Sequence, residues 1–154
     1  MSNAKELGHR IIVGKDTDGR SAVSIDGFSQ ARSVRSNGRV SVEIWRQETL
    51  PAQRGDDGTR VGEAVTPLPP TGVSIRQYFI PSGSEPADLS DVQESNGLFT
   101  GTLAYGRAYL VLEKEEVLLE PGDSFVLPGF VHTWRNPFVD DALCVMTVFA
   151  FAEI

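Results

Sequence analysis

The alternation of apolar and polar residues along this chain predicts an all-β structure. Apolar residues recur with a period of two or in short runs, and Gly, Pro, Asp and Asn separate these segments. Residues 11–13 and 21–25 flank Asp18-Gly19, which we expect to form the type I′ turn of a hairpin. A further strand is predicted over residues 39–45, so the N-terminal third forms a sheet.

The second half of the chain carries seven more predicted strands separated by short turns. They cover residues 73–80, 98–103, 108–112, 117–119, 124–127, 132–136 and 143–151. Residues 47–71, rich in Pro, Gly, Asp and Thr, and residues 81–97, acidic and rich in Ser, indicate long loops. We expect one structural domain, in which residues 1–72 form a strand extension and rim loop packed on a barrel of residues 73–154.

Composition limits the partners that this protein can have. The net charge of −7 and the scattered basic residues argue against nucleic acid and acidic membranes, and favour a small neutral or cationic ligand. The single cysteine, Cys144, excludes an internal disulfide framework, and its apolar neighbours predict a buried thiol. No apolar run is long enough to span a membrane, and no secretory signal opens the chain. A soluble, cytoplasmic protein is therefore expected.

His132 is the residue at which chemistry is most plausible. It leaves a tight turn at the start of a predicted strand, whereas the other histidine, His9, falls in the expected N-terminal tail. Trp134 lies two residues further on and therefore on the same face, where the pair offers a polar handle and a stacking floor to an aromatic or carbonyl ligand. An ordinary imidazole pKa of about 6.5 also permits proton transfer. The alternative interpretation is a hydrogen-bonded core residue, which a lone histidine on an inward strand more often is.

A run of turns around His132 has a recognisable spacing. A glycine is followed after fifteen residues by a Pro-Gly-Asp turn, then by a Pro-Gly turn, a histidine and an asparagine. This spacing resembles the cupin superfamily, whose second motif is matched by Gly122, Asp123, Pro128, Gly129, His132 and Asn136, with Gly106 as the glycine that precedes it. Of these, we expect Asp123 to stabilise its turn through a hydrogen bond from its side chain to the backbone.

The resemblance implies a fold and an oligomeric state. It covers residues 73–151 and implies a cupin double-stranded β-helix, a jelly-roll barrel with extra N-terminal strands, of the small single-domain cupin 2 type. Residues 10–51 are similar to the N-terminal extension of such cupins, which often adds strands to a partner's sheet. A homodimer formed through the N-terminal strands and the apolar last strand is therefore expected.

The first cupin motif, which carries the other metal ligands in this superfamily, is degenerate here. It normally supplies two histidines and a carboxylate seven residues before a closing glycine. With that glycine laid on Gly106, Phe99 occupies the carboxylate position, and Gln93 and Ser95 occupy the two histidine positions. The register from Phe99 to Gly106 follows from the ungapped match downstream.

Too few metal donors remain in this alignment. Asp91 or Glu94 could supply one oxygen, but a zinc, iron or manganese site requires about three protein ligands, usually imidazole and carboxylate. We therefore expect no cofactor. A divalent metal (Fe, Mn or Zn), if one binds, would have His132 as its ligand.

The sequence therefore predicts a small-molecule pocket lined by Gln93, Phe99, Leu103, His132 and Trp134. The leading hypothesis is a binding protein or a metal-independent enzyme in which His132 serves as acid or base. By analogy of fold, decarboxylation, dehydration or isomerisation of a small organic acid or aromatic compound is the reaction expected of such an enzyme. Two alternatives stay open: a metal-dependent dioxygenase or decarboxylase with unusual ligands, and a non-catalytic structural or regulatory dimer.

Other polar and aromatic residues could also contribute to this pocket. Alternation places Arg76 and Tyr78 on one face of their strand and Gln77 and Phe79 on the other, but it does not say which face is interior. Tyr105 and Gln93 are candidate acid partners for His132.

Overall fold

The computed structural model describes residues 6–63, 68–85 and 97–152, together with the backbone of residues 93–94. These residues form strands and turns, and no α-helix among them could cross a lipid bilayer. The strands are β1 His9–Lys15, β2 Ser21–Phe28, β3 Gln30–Val34, β4 Val40–Gln47, β5 Val61–Gly62, β6 Val73–Ile80, β7 Gln93–Glu94, β8 Gly97–Tyr105, β9 Ala108–Leu112, β10 Glu116–Leu119, β11 Ser124–Pro128, β12 Val131–Arg135 and β13 Ala142–Ala150.

Two sheets pack face to face and enclose the main core. The larger sheet has the order β11-β8-β13-β6-β4-β3-β5, the smaller has the order β10-β9-β12-β7, and β1 and β2 form a separate hairpin. All neighbouring strands are antiparallel except β3 and β5. The core draws apolar side chains from both sheets, which is the layered arrangement of a jelly roll. Its members include Tyr78, Ile80, Leu103, Leu110, Leu119, Phe125, Leu127, Trp134, Cys144, Met146 and Val148.

The register of the large sheet decides which residues face the interior. Paired residues of antiparallel strands point to the same side, so each row across β6, β13 and β8 shares one face. Arg76 and Tyr78 pair with Met146 and Cys144 of the core, and both are buried. Arg76 and Tyr78 therefore face the interior, which settles the question that alternation left open. We call the end of the barrel that carries Phe99 and His132 the barrel mouth. Two rows of the large sheet lie there: Ser74, Val148 and Phe99, then Arg76, Met146 and Gly101.

Most predicted strands are observed, and three were missed. β6 and β9 have the predicted bounds, and the other predicted strands differ from their counterparts by up to three residues at an end. β3 was missed because its sequence, QARSV, lacks an apolar alternation. β5 and β7 are two-residue strands inside the predicted loops. The first of these loops packs against β4, since a Cβ atom at Gly58 would lie 2.3 Å from the Trp45 ring.

The β1–β2 hairpin has a different turn from the one predicted. No non-glycine residue in the described part of the chain has a positive φ, so Asp18 cannot occupy the left-handed position that a type I′ turn requires. Instead, Gly19 alone is left-handed, with φ 77°, and the Asp16 N–H donates to the Arg20 carbonyl over 2.8 Å. The loop is therefore a longer one that ends in a left-handed glycine.

His9 belongs to this hairpin and not to a tail. Its Nε2 lies 2.7 Å from Asp26 Oδ1 at an exposed position, remote from the core. The expectation that His9 precedes the folded part is wrong, because β1 begins at His9 itself.

Two expectations about β13 have different outcomes. Cys144 is buried as predicted, and burial raises the pKa of its thiol to about 12, so the thiol stays protonated at neutral pH. The expectation that the last strand lies at a dimer interface stays a prediction, and β6 and β8 pair with both edges of this strand. Only its outward face could meet a partner.

Candidate functional site

The turns of the second cupin motif position β12 and its histidine. Gly122 and Gly129 have φ angles of 94° and 88°, a left-handed conformation that glycine adopts without steric cost. Asp123 Oδ2 accepts a 2.8 Å hydrogen bond from the Glu120 N–H, which confirms its predicted role in the turn. β11 and β12 therefore run into and out of the tight turn that precedes His132.

Asn136, the last residue of the motif, holds together the segments below the site. It is fully buried, and its Nδ2 donates to the carbonyls of Ile80 and Asp140 over 3.1 and 2.9 Å. Its Oδ1 accepts from the Phe138 N–H over 3.0 Å. One side chain thus joins the end of β6 to the loop that follows β12, which fixes where β12 ends.

Arg39 ties the N-terminal strands to β12, a connection that the sequence did not reveal. The guanidinium is buried, its Nε donates to Ser84 Oγ over 2.9 Å, and Nη2 donates to the Trp134 carbonyl. Nη1 approaches the Tyr78 hydroxyl at 3.5 Å. Nothing in a single arginine before a strand indicates such a contact, because it depends on how the two sheets pack.

His132 stands half-buried at the mouth of the barrel with one ring nitrogen occupied. Its Nδ1 lies 3.1 Å from the Phe130 carbonyl oxygen. A carbonyl can only accept, so Nδ1 carries the proton and Nε2 of the neutral ring presents a lone pair. Burial lowers the pKa of His132 below its usual value, and the hydrogen bond to Phe130 only partly opposes this effect. The ring is therefore neutral at pH 7.

The walls around this imidazole are apolar. Phe99 meets the His132 ring edge-on, with centroids 6.0 Å apart and an interplanar angle of 62°. Leu112 is the cross-strand partner of His132, and both Phe99 and Leu112 pack against the main core. Leu68 also packs there and approaches the start of β8. The structure thus brings together two predicted site residues, Phe99 and His132.

The other predicted site residues occupy different positions. Trp134 is 4% exposed and packs its ring against Phe125 with centroids 5.1 Å apart, and Leu103 is fully enclosed. Both belong to the main core. Their contact with a ligand stays a prediction. Tyr105 packs against a separate cluster that includes Leu143, and its role as an acid partner of His132 stays a prediction. The Gln93 backbone pairs with His132, but its side chain lies outside the described residues.

A polar cluster occupies the interior beside the apolar wall. Ser74 Oγ donates to Glu43 Oε2 over 2.6 Å, and Arg76 Nε donates to Ser74 Oγ over 2.9 Å. Arg46 Nη1 lies 3.6 Å from the same carboxylate oxygen. These residues were not predicted as a group, although the alternation along β6 placed Arg76 and Tyr78 on one face.

Among the described side chains, those around His132 do not supply the donors of the metal site that the cupin fold implies. Phe99 and Leu112 supply no donor atom, and the described residues contain no group of three or more His, Cys, Asp or Glu side chains that could hold a metal ion. The side chains of Ser95, Asp91 and Glu94 lie outside those residues. The degenerate metal site therefore stays a prediction, and no step of the chemistry below uses a metal.

Comparison with known proteins identifies the fold. No family model matches the chain, and no curated protein matches it. Among solved structures, the cupin domain of Schizosaccharomyces pombe Cnp3 is 9% identical with a TM-score of 0.54, over 96% of this chain and 88% of that one. A sugar phosphate isomerase of the cupin superfamily from Silicibacter pomeroyi is 17% identical with a TM-score of 0.51, over 90% and 76%.

These likenesses concern the fold alone, because both identities are low. The chain has the jelly-roll fold of the cupin superfamily, as the motif around His132 predicted.

The lowered pKa of His132 predicts a pH dependence of stability. Unfolding restores the ordinary pKa of about 6.5, so the unfolded chain binds more protons as the pH falls through that value. The contribution of neutral His132 is thus present above about pH 6.5 and is lost between that pH and the lower pKa of the folded state. Urea unfolding from about pH 7.5 to about pH 5 should show a loss of stability that His132→Gln reduces and His9→Gln retains. A difference between wild type and His132→Gln that is independent of pH would contradict this assignment.

Proposed function

We propose that this protein binds a small organic molecule at the mouth of its barrel and that His132 Nε2 accepts a hydrogen bond or a proton from it. The observation that carries the proposal is the state of the imidazole. It is neutral, half-buried against Phe99, and fixed by the Phe130 carbonyl so that one lone pair remains available. Apolar walls with a few placed polar groups are typical of small-molecule sites.

Such an imidazole suits acid–base chemistry that needs no metal. A neutral ring with a lowered pKa can accept a proton from a hydroxyl or an activated C–H group, then return it to another atom of the same ligand. Decarboxylation, dehydration and isomerisation of small organic acids or aromatic compounds all use transfers of this kind. Phe99 excludes water from one side of the ring, which strengthens a hydrogen bond made there.

A ligand screen with two histidine variants tests this proposal. The protein, held in a metal chelator, is screened by thermal shift against small carboxylic acids, phenols and hydroxy acids, and the compounds that stabilise it are titrated by calorimetry. We expect His132→Gln to weaken binding about 10-fold or more, because one hydrogen bond to a polar partner is lost. His9→Gln, at an exposed site on the hairpin, should bind as the wild type does.

The same variants separate an enzyme from a binding protein. If a bound compound is converted, turnover should collapse in His132→Gln while His9→Gln stays active. If no bound compound is converted, the protein is a binding module. Equal affinities in all three proteins would contradict the role of His132, and binding that requires added Fe, Mn or Zn would favour a metal-dependent cupin instead.

We also propose that the protein forms a homodimer in the cytoplasm through the β1–β2 hairpin. Ile11, Val13 and Val23 lie on one face of the hairpin and are 50%, 62% and 58% exposed, and an isolated two-stranded hairpin is marginally stable in water. Lys15 stands on this face on one side of Val13, and Asp26, which also contacts His9, stands on the other. A two-fold axis near Val13 would place Lys15 of each copy beside Asp26 of the other.

Sedimentation equilibrium tests the dimer directly. Val13→Asp should shift the protein to a monomer, because two copies of the new carboxylate would lie near the axis. Val139→Asp changes a residue that is more exposed and lies far along the chain, so it should remain a dimer. A monomeric wild type at micromolar concentration would contradict the proposal.

A further inference from the structure

We infer that Arg76 binds a carboxylate group of the ligand, so that the site recognises an organic acid between Arg76 and His132. This inference rests on the proposed function, because it places a second polar contact in the same barrel mouth. It concerns a buried cation on β6 that the proposed chemistry at His132 does not use.

The contacts of Arg76 fix its orientation and leave its outer edge unused. The residue is 6% exposed, and Nε donates to Ser74 Oγ, which in turn donates to Glu43 Oε2. This chain of hydrogen bonds holds the plane of the guanidinium. Neither Nη1 nor Nη2 donates to any residue that the structure describes. Two parallel donors therefore remain at the end of a rigid fork.

The unused nitrogens are not sealed in the core. Within the described part of the chain, the enclosed side-chain atoms that lack a hydrogen-bond partner are Arg10 Nε and Thr133 Oγ1. The Nη atoms of Arg76 are not among them, so both keep some accessible surface. A buried guanidinium with an open bidentate edge is well suited to a planar carboxylate.

The register places this edge on the same interior face as Phe99. Ser74 and Phe99 belong to one row, with Val148 between them, and Arg76 lies in the next row. Strands are spaced by about 4.8 Å, so β6 and β8 are about 10 Å apart across the sheet. Phe99 in turn contacts His132. A ligand with an apolar body could thus reach Arg76 at one end and the imidazole at the other.

The local charge favours a monoanion over a phosphate. Burial lowers the pKa of Arg76, Glu43 partly opposes this effect and Arg46 adds to it. A guanidinium nevertheless stays protonated in proteins, so Arg76 is a cation. The single negative charge of Glu43 is shared between two cations, Arg76 and Arg46, because Arg46 Nη1 also lies 3.6 Å from Glu43 Oε2. A carboxylate matches the single open fork, whereas a dianion would face the nearby Glu43 charge with too few cations.

Matched acids and amides test the inference without a known substrate. Benzoate, phenylacetate and 3-phenylpropanoate are titrated into the chelator-treated full-length protein beside benzamide, phenylacetamide and 3-phenylpropanamide. The readouts are calorimetric Kd values and the NMR signals of the Arg76 Nε–H and the His132 ring. We expect at least one acid to bind about 10- to 100-fold more tightly than its amide and to shift both signals.

Variants assign the preference to Arg76. Arg76→Gln should abolish the difference between acid and amide, and Arg76→Lys should retain only part of it, because lysine keeps the charge without the fork. Arg107→Gln removes an exposed cation that lies over Phe138 and should leave the preference unchanged. The comparison of acids with amides in the wild type stands even if Arg76→Gln does not fold.

The outcomes separate this inference from the proposed function. Acids and amides that bind equally and shift only His132 would overturn the role of Arg76 and leave the proposed function intact. Acids that shift only Arg76 would support the carboxylate site and overturn the role of His132. Probes that shift neither residue would overturn both.

Discussion

Gly106→Ala is expected to lower the free energy of unfolding by about 3 to 5 kcal/mol. Gly106 has a φ of 73°, where an alanine side chain costs about 1 to 2 kcal/mol. A Cβ atom there would also lie 2.1 Å from the Asp141 carbonyl oxygen and 2.7 Å from Ala142 Cα. Both of these atoms belong to the backbone at the start of β13, so the clash cannot be relieved by a side-chain rotation.

Gly122→Ala is the matched control for this prediction. Gly122 has a φ of 94°, but no described heavy atom lies within 4 Å of a Cβ built there. Only the backbone strain applies, so the expected loss is about 1 to 2 kcal/mol. Denaturant unfolding of the two variants measures the difference. Equal losses would show that the β8–β9 turn does not approach β13 as closely as the structure has it.

Asn136→Ala is expected to cost about 3 kcal/mol of stability, since three hydrogen bonds of a buried side chain, about 1 kcal/mol each, are lost. The Ile80 and Asp140 carbonyls and the Phe138 N–H would all lose their side-chain partner. Water cannot easily replace them, because Asn136 is fully enclosed. Urea unfolding at neutral pH provides the measurement.

Asp123→Ala, in the same motif, is the control for Asn136. The Asp123 carboxylate accepts one hydrogen bond at an exposed turn, and water can replace it there. Its removal should therefore cost about 1 kcal/mol or less. A loss for Asn136→Ala no larger than this would contradict the view that the asparagine joins β6 to the loop after β12.

The sequence predicted the fold well because its signals are local. Apolar alternation marks β6, β9 and β13, and the left-handed glycines Gly122 and Gly129 follow from turn chemistry that involves only adjacent residues. β3 was missed because its burial comes from neighbours in the sheet and not from its own side chains. The turn at Asp18 was misassigned because an Asp-Gly pair fits more than one type of hairpin loop.

The site was predicted only in part, because its remaining contacts depend on packing. The motif register brought Phe99 and His132 together correctly. The position of Arg76 required knowledge of which face of β6 is covered, and the contact of Arg39 with β12 required the angle between two sheets. The net charge of −7 favoured a neutral or cationic ligand, whereas the open fork of Arg76 favours an anion. The charge of Arg76 outweighs the net charge of the protein at this site, because it acts on a ligand at short range.

Nitrogen-15 NMR of the His132 ring in metal-free protein reports its protonation state and its contact with a ligand. We expect a neutral ring at pH 7 with its proton on Nδ1, a pKa below about 6.5, and a change of the Nε2 signal when an organic acid or phenol binds. A ring that is charged at pH 7, that carries its proton on Nε2, or that responds only to added zinc, iron or manganese would contradict this expectation.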